Sequence, residues 1–246
     1  SLPLTESIEI YLKQQPNILL RNKGDGTFAD VTEISGASDQ GVGRGGAYLD
    51  FDRDGCLDLF VANGHVLDNI EEIQPELRYA QPNQMMRNLR GAGFRDVSTS
   101  LGASFAHAAV SRGAAVGDYD NDGDEDLYEV SGHLEGQQHN PDQQPNVLLR
   151  NDRSRFKDVS KGSGANDPGV GRGGAFMDFD GDGCLDIVVG NVGQRVRVLR
   201  NLCDTTNGWL IVETVGTASN RDGIGARLEL VADGKTQIRE ISSGSN

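Results

Sequence analysis

One stretch of this chain is written almost three times, and that repetition constrains the fold more than any other feature. Gly43–Asn63 and Gly171–Asn191 share Gly-Arg-Gly-Gly-Ala, two apolar residues, Asp-Phe-Asp-x-Asp-Gly-Cys-Leu-Asp, and an apolar run ending in Asn. Ser111–Ser131 is a looser copy with the same offsets. Each copy carries carboxylates at the first, third, fifth and ninth places of a nine-residue loop: Asp50, Asp52, Asp54 and Asp58; Asp118, Asp120, Asp122 and Asp126; Asp178, Asp180, Asp182 and Asp186. Glycine holds the sixth place in all three, where a sharp bend needs a residue without a Cβ.

Alternating carboxylates on a tight turn point inward together, and a hard cation that takes six to eight oxygens, Ca²⁺, fits such a cage. Asp is also a common turn residue, but three loops of one spacing exceed what turn preference explains. Without a cation, four carboxylates in nine residues repel one another. The middle loop also meets the EF-hand pattern through Glu129, yet the equivalent positions in its sisters are Val61 and Val189. The segments that follow, Asp58-Leu-Phe-Val, Asp126-Leu-Tyr-Glu-Val and Asp186-Ile-Val-Val, have strand rather than helix composition. The loops are therefore expected to join strands of hairpins, giving three Ca²⁺ sites. At the seventh place, held by Cys56, Asp124 and Cys184, a backbone carbonyl is the expected ligand.

A second phrase also recurs. Pro16-Asn-Ile-Leu-Leu-Arg-Asn22, Pro82-Asn-Gln-Met-Met-Arg-Asn88 and Pro145-Asn-Val-Leu-Leu-Arg-Asn151 each precede a Phe-x-Asp-Val segment, and Arg195–Asn201 begins a fourth. Strand, turn, strand is the reading, with Asp-Gly as a hairpin signal in the first. Four strands per repeat make a β-propeller blade, so the fold class is all-β. The expected division is 1–15 as the end of a preceding repeat, 16–81 as a blade with an insertion, 82–144 as a second blade, 145–201 as a third with the start of the next, and 202–246 as a small β domain. Ile70, Ile73 and Leu77 within the insertion predict a turn or two of helix, and Gly132–Gln144 reads as a polar loop. In the tail, Trp209–Gly216, Ala226–Val231 and Thr236–Ile241 read as strands.

A low hydrophobic content of 36% with 33 glycines fits short strands and many turns. The net charge of −14 gives no basic face for nucleic acid. Each divalent ion offsets two charges, so three ions would bring it to −8. No apolar run approaches the ~20 residues that cross a bilayer. The chain begins with Ser and shows no signal peptide, which reads as a processed or excised product. Cys56, Cys184 and Cys203 are either small half-buried thiols or include one disulfide from Cys203 to a loop cysteine.

His65 and His133 follow equivalent strands, and Arg44, Arg112 and Arg172 repeat as well, which points to structural roles such as bonding a neighbouring blade. His107 and His139 stand alone in polar stretches. The chain has no nucleophile-elbow or phosphate-cradling motif and is not expected to be an enzyme. Arg221-Asp-Gly reads as a tight turn. Three roles fit: a module recognising a protein or glycan, a subunit that self-associates through open blade edges into a fibre, and, least well supported, the scaffold of a carbohydrate-active enzyme.

The loops with their Asn-Leu-Leu-Arg-Asn and Gly-Asp-Gly-Thr-Phe phrases resemble the FG-GAP/VCBS repeats of integrin-α-like β-propellers. Asn207-Gly-Trp-Leu, Val215–Arg227 with its Arg-Asp-Gly-Ile-Gly-Ala, and Gly234–Glu240 are similar to the ASPIC/UnbV domain that follows such repeats in cartilage-acidic-protein relatives and in bacterial secreted proteins. The resemblance implies a secreted or extracellular protein (periplasmic or on the cell surface in a bacterium), Ca²⁺ held by the twelve aspartates above with the carbonyls of Cys56, Asp124 and Cys184, and a role in recognition or structure. Such propellers usually have seven blades, against three here with fragments at each end, and the tail is shorter than the family's domain.

Overall fold

In the computed structural model, which describes residues 17–38, 41–132, 144–203, 208–218, 220–232 and 234–241, every Asp-rich loop joins two antiparallel strands. These are β3 (Gly43–Leu49) and β4 (Asp58–Asn63), β9 (Ser111–Gly117) and β10 (Asp126–Ser131), and β13 (Gly171–Met177) and β14 (Asp186–Asn191). The registers Leu49 to Asp58, Gly117 to Asp126 and Met177 to Asp186 place the ninth carboxylate of each loop opposite the residue that precedes the first.

The second strand of each loop hairpin then pairs with the next Arg-Asn hairpin. β4 pairs with β6 (Gln84–Asn88), β10 with β11 (Val147–Asn151), and β14 with β15 (Arg197–Leu199). β7 (Phe94–Asp96) and β12 (Phe156–Asp158) close two of the sheets, giving orders β3-β4-β6-β7 and β9-β10-β11-β12, while the third sheet is β13-β14-β15. β1 (Leu20–Asn22) and β2 (Phe28–Asp30) form a separate hairpin, and the two-residue strands β5 (Gln81–Pro82) and β8 (Ala108–Ala109) pair with each other. The chain is thus nearly all-β and built of propeller-like blades, but the sheets are half a repeat out of phase with the 16–81, 82–144 and 145–201 division. Strand pairing crosses the boundaries at which the sequence phrases begin, because the strand leaving each Asp loop presents its free edge to the following hairpin.

The blades stack through their loop-entering strands. β3 lies beside β9, and β9 beside β13. Gly45, Gly113 and Gly173 hold the same position of the three copies at this contact, and the approach is tightest at Gly45. A Cβ on Gly45 would stand 3.1 Å from the Gly113 Cα, and one on Gly113 would stand 3.5 Å from the Arg172 carbonyl oxygen. Between the first two sheets a core forms from Leu49, Phe60, Met85, Leu101, Phe105, Leu127, Leu149 and Phe156. Between the second and third it is Tyr128, Val130, Leu148, Phe176, Ile187 and Val189. β10 is buried on both faces because both neighbouring sheets cover it, whereas β3 alternates.

Arg112 carries the cross-blade bond expected of the repeated arginines. It donates to the Gly132 carbonyl just past β10 of its own sheet and to the Gly64 and His65 carbonyls just past β4 of the neighbouring one. The insertion holds helix α2 (Ile70–Ile73), where Ile70 packs with Leu77, Tyr79 and Val110. Two further single-turn helices, α1 (Thr32–Ser35) and α3 (Ser160–Ser163), and a 3₁₀ turn at Ser98–Ser100 were not anticipated. A recurring Asp-Val-Ser/Thr starts each: Asp30, Asp96 and Asp158 accept from the backbone N–H of Thr32, Ser98 and Ser160. Those hydroxyls accept in turn from the N–H groups of Leu19, just before β1, and of Met85 and Leu148 within β6 and β11.

In the tail, β16 (Arg227–Ala232) and β17 (Lys235–Glu240) pair as expected, but 208–216 is no strand. Trp209, Leu210, Ile211, Val212 and Val215 stay exposed, and among the described residues no strand pairs with this segment. The expected opening strand at 1–15, and all of the polar loop except its ends, lie outside the described residues.

Candidate metal centres

Each loop is wound around its first aspartate. Asp50 accepts from the N–H groups of Asp54 and Gly55, Asp118 from those of Asp122 and Gly123, and Asp178 from those of Asp182 and Gly183. The chain can turn that tightly because the fourth and sixth places are left-handed: φ is 56° at Arg53 and Asn121 and 77° at Gly181, then 87°, 90° and 86° at Gly55, Gly123 and Gly183. The fifth carboxylates, Asp54, Asp122 and Asp182, accept from the seventh-place N–H of Cys56, Asp124 and Cys184.

The ninth aspartate fastens the loop to the following hairpin. Asp58 accepts from the N–H of Phe51 and Asn88, Asp126 from Tyr119 and Asn151, and Asp186 from Phe179 and Asn201. These three bonds to Asn are 2.7 Å in every copy. The arginine before each Asn leans on the third and fifth places: Arg87 on Asp52 and Asp54, Arg200 on Asp180 and Asp182, and Arg150, more remotely, on Asp120. Sequence reading placed the Arg-Asn pair on a strand but assigned it no part in the loops.

Carboxylate oxygens of Asp50, Asp52 and Asp58, of Asp118, Asp120 and Asp122, and of Asp178, Asp180 and Asp186 converge to within 4.8 Å of one another. Asp54, Asp126 and Asp182 line the same loops without entering these closest groups. Burial pushes the Asp58 carboxyl up to about 7 and Asp126 to about 9, and burial with the nearby Asp122 charge pushes Asp118 to about 6. Asp50, Asp52 and Asp120 are also raised, chiefly by burial. Half-buried carboxylates crowded this closely are costly to ionise unless a cation joins them, and an all-oxygen donor set suits a hard divalent ion rather than zinc or copper. The residues present fit such an ion.

Two neighbouring groups serve other ends. The Asp124 carboxylate pairs with Arg53 of the preceding loop at 2.5 Å, leaving only its carbonyl available as a ligand. Glu129 is fully buried on β10 among Ser111, Ser131 and His107, in keeping with the rejection of an EF-hand. The cysteines resolve to a Cys184–Cys203 disulfide, which ties the third loop to the start of the tail, and a free Cys56.

Residues 10–61 match the family model described as FG-GAP-like repeat, and residues 216–246 match the one described as ASPIC and UnbV. Over 209 residues the chain is 30% identical to Cartilage acidic protein 1 of Xenopus tropicalis, an alignment covering 80% of this chain and 29% of the relative. Against the Homo sapiens protein of the same name it is 29% identical over 202 residues, covering 80% and 28%. The chain spans less than a third of the length of these relatives. Two segments of the chain thus match an FG-GAP-like repeat and the ASPIC and UnbV model, and across most of its own length the chain is similar to Cartilage acidic protein 1.

Proposed function

We propose that this chain is an extracellular calcium-binding repeat module that recognises a protein or glycan, and that its role is binding rather than catalysis. The observation that carries this reading is the convergence of aspartate oxygens in all three loops at matching places. Every blade would then be pinned at the same corner by Ca²⁺, leaving the loops between blades free to vary for recognition. Ca²⁺ would supply charge neutralisation and rigidity there. The chain's own carboxylates, the ninth-place aspartates above all, hold the following hairpin in register.

A second reading, assembly between copies, is favoured by the unfinished sheets. Among the described residues the third has three strands where the first two have four, and a groove of about 390 Å³ opens between Asn17–Leu19 and β3, with Tyr48 on its wall. Light scattering in calcium and then in chelator separates the two. Recognition predicts a mass near 26.4 kDa in both, with a lower melting temperature in chelator. A calcium-dependent polymer would favour assembly, and a melting temperature indifferent to calcium would remove the basis of both.

A further inference from the structure

The tail was expected to be a separate β unit, yet it lies across all three Asp loops, and at the same place in each. That place is the sixth-position glycine. Trp209 covers Gly183 so closely that a Cβ there would overlap its indole ring. The Ile238 Cδ1 would stand 3.4 Å from a Cβ on Gly55, and the Gln237 Nε2 would stand 2.9 Å from one on Gly123. Polar contacts reinforce the seat. Arg227 donates to the Gly55 carbonyl at 2.8 Å, and Lys235 reaches the Asp122 carbonyl at 3.5 Å. Arg239 pairs with Glu125 at 3.1 Å. Glu125 is itself buried, and its other oxygen accepts the N–H of Asp50, the first residue of the neighbouring loop, at 2.7 Å. One side chain thus joins the first loop, the second loop and the tail.

We propose that the tail segment 209–240 is a clasp whose docking is coupled to cation occupancy of the three loops. The inference rests on the calcium-binding reading above. The tail seats on groups whose placement depends on the turn: the left-handed glycines, the Gly55 carbonyl, and Glu125, which the N–H of Asp50 holds. Repulsion between uncompensated carboxylates distorts that turn and removes the seat. Among the described residues, none of the tail's salt bridges or hydrogen bonds goes to a carboxylate at the first, third, fifth or ninth place, so clasp and ion do not compete for the same oxygens. Coupling between two such equilibria is reciprocal: calcium holds the clasp down, and the clasp tightens calcium binding. A two-stranded hairpin is marginal alone in water, so an undocked β16–β17 loses its protection against exchange.

The test uses the full chain, with calorimetry to count calcium and hydrogen exchange to follow residues 227–240. Chelation is expected to speed exchange there at least tenfold and to shift the emission of Trp209, the only tryptophan. Arg239→Glu, and the milder Glu125→Gln as a second variant that keeps the size of the buried side chain, are expected to weaken calcium binding about three- to tenfold. Calcium uptake with unchanged tail exchange, or with wild-type affinity in both variants, would overturn the clasp while leaving the calcium reading standing. A chain that takes up no calcium would overturn that reading and this inference with it.

Discussion

The Asn151 side chain donates to the carbonyl of Phe51, 100 residues earlier in the chain, at 2.9 Å. Asn201 repeats the contact one blade later by donating to the carbonyl of Tyr119 at 2.8 Å. Each asparagine also caps its own loop, at Glu125 or Leu185. One buried amide therefore ties two adjacent Asp loops to each other. Asn88, the matching residue of the first full sheet, reaches the Leu57 carbonyl of its own loop.

Asn151→Ala should cost about 1–3 kcal/mol, because it leaves two buried carbonyls without their donor. Asn88→Ala, with one such contact and a half-buried side chain, should cost less. Urea unfolding of the two variants under identical calcium gives the comparison, and equal losses would refute the cross-blade role of Asn151.

Gly113→Val should destabilise by about 1–3 kcal/mol or more by overpacking, since Gly45 and Gly173 flank that position. Gly162, with open space around its Cβ direction, is the control, and Gly162→Ala should be close to neutral. Thermal melts of the two proteins decide it.

Removing calcium should invert the pH dependence of stability. The folded chain holds the Asp118, Asp58 and Asp126 carboxyls at about 6, 7 and 9, all above the ~3.9 of an unfolded aspartate. A raised folded pKa favours folding below the unfolded value and loses that advantage as pH climbs through the folded one. In chelator, stability should therefore fall from about pH 4 to 9. In calcium it should rise over the same range, because protons compete with the ion for the same oxygens. Urea midpoints at pH 5 and 8.5, with and without calcium, show the two slopes; parallel slopes would contradict the account.

Reducing the Cys184–Cys203 disulfide, which spans 19 residues, should lower stability by about 2–4 kcal/mol. The Cys184→Ser, Cys203→Ser pair should reproduce the loss without reductant. If both proteins melt with the oxidised wild type, the bond contributes nothing.

The loops and hairpins were legible because their chemistry is local. An aspartate at the first place and a glycine at the sixth act within a few residues of one another, so spacing alone exposes them. What spacing does not carry is which edge pairs with which hairpin: Leu59 opposite Met86 and Leu127 opposite Leu149 join different sequence phrases, and this moved the blade boundary. The seating of the tail was hidden for the same reason, since Arg227 meets Gly55 across 172 residues. Trp209–Gly216 reads as a strand by composition, but a strand needs a partner edge and this segment has none among the described residues. Glycine at the sixth place looked like a turn requirement alone, although Trp209 leaves no room for a side chain on Gly183.

The most direct measurement is the number of calcium ions retained per chain at saturation, by equilibrium dialysis and elemental analysis. The account predicts three for the wild type and two for Asp180→Ala, whose carboxylate belongs to the third group alone. A wild-type count of zero, or one that Asp180→Ala leaves unchanged, would contradict it.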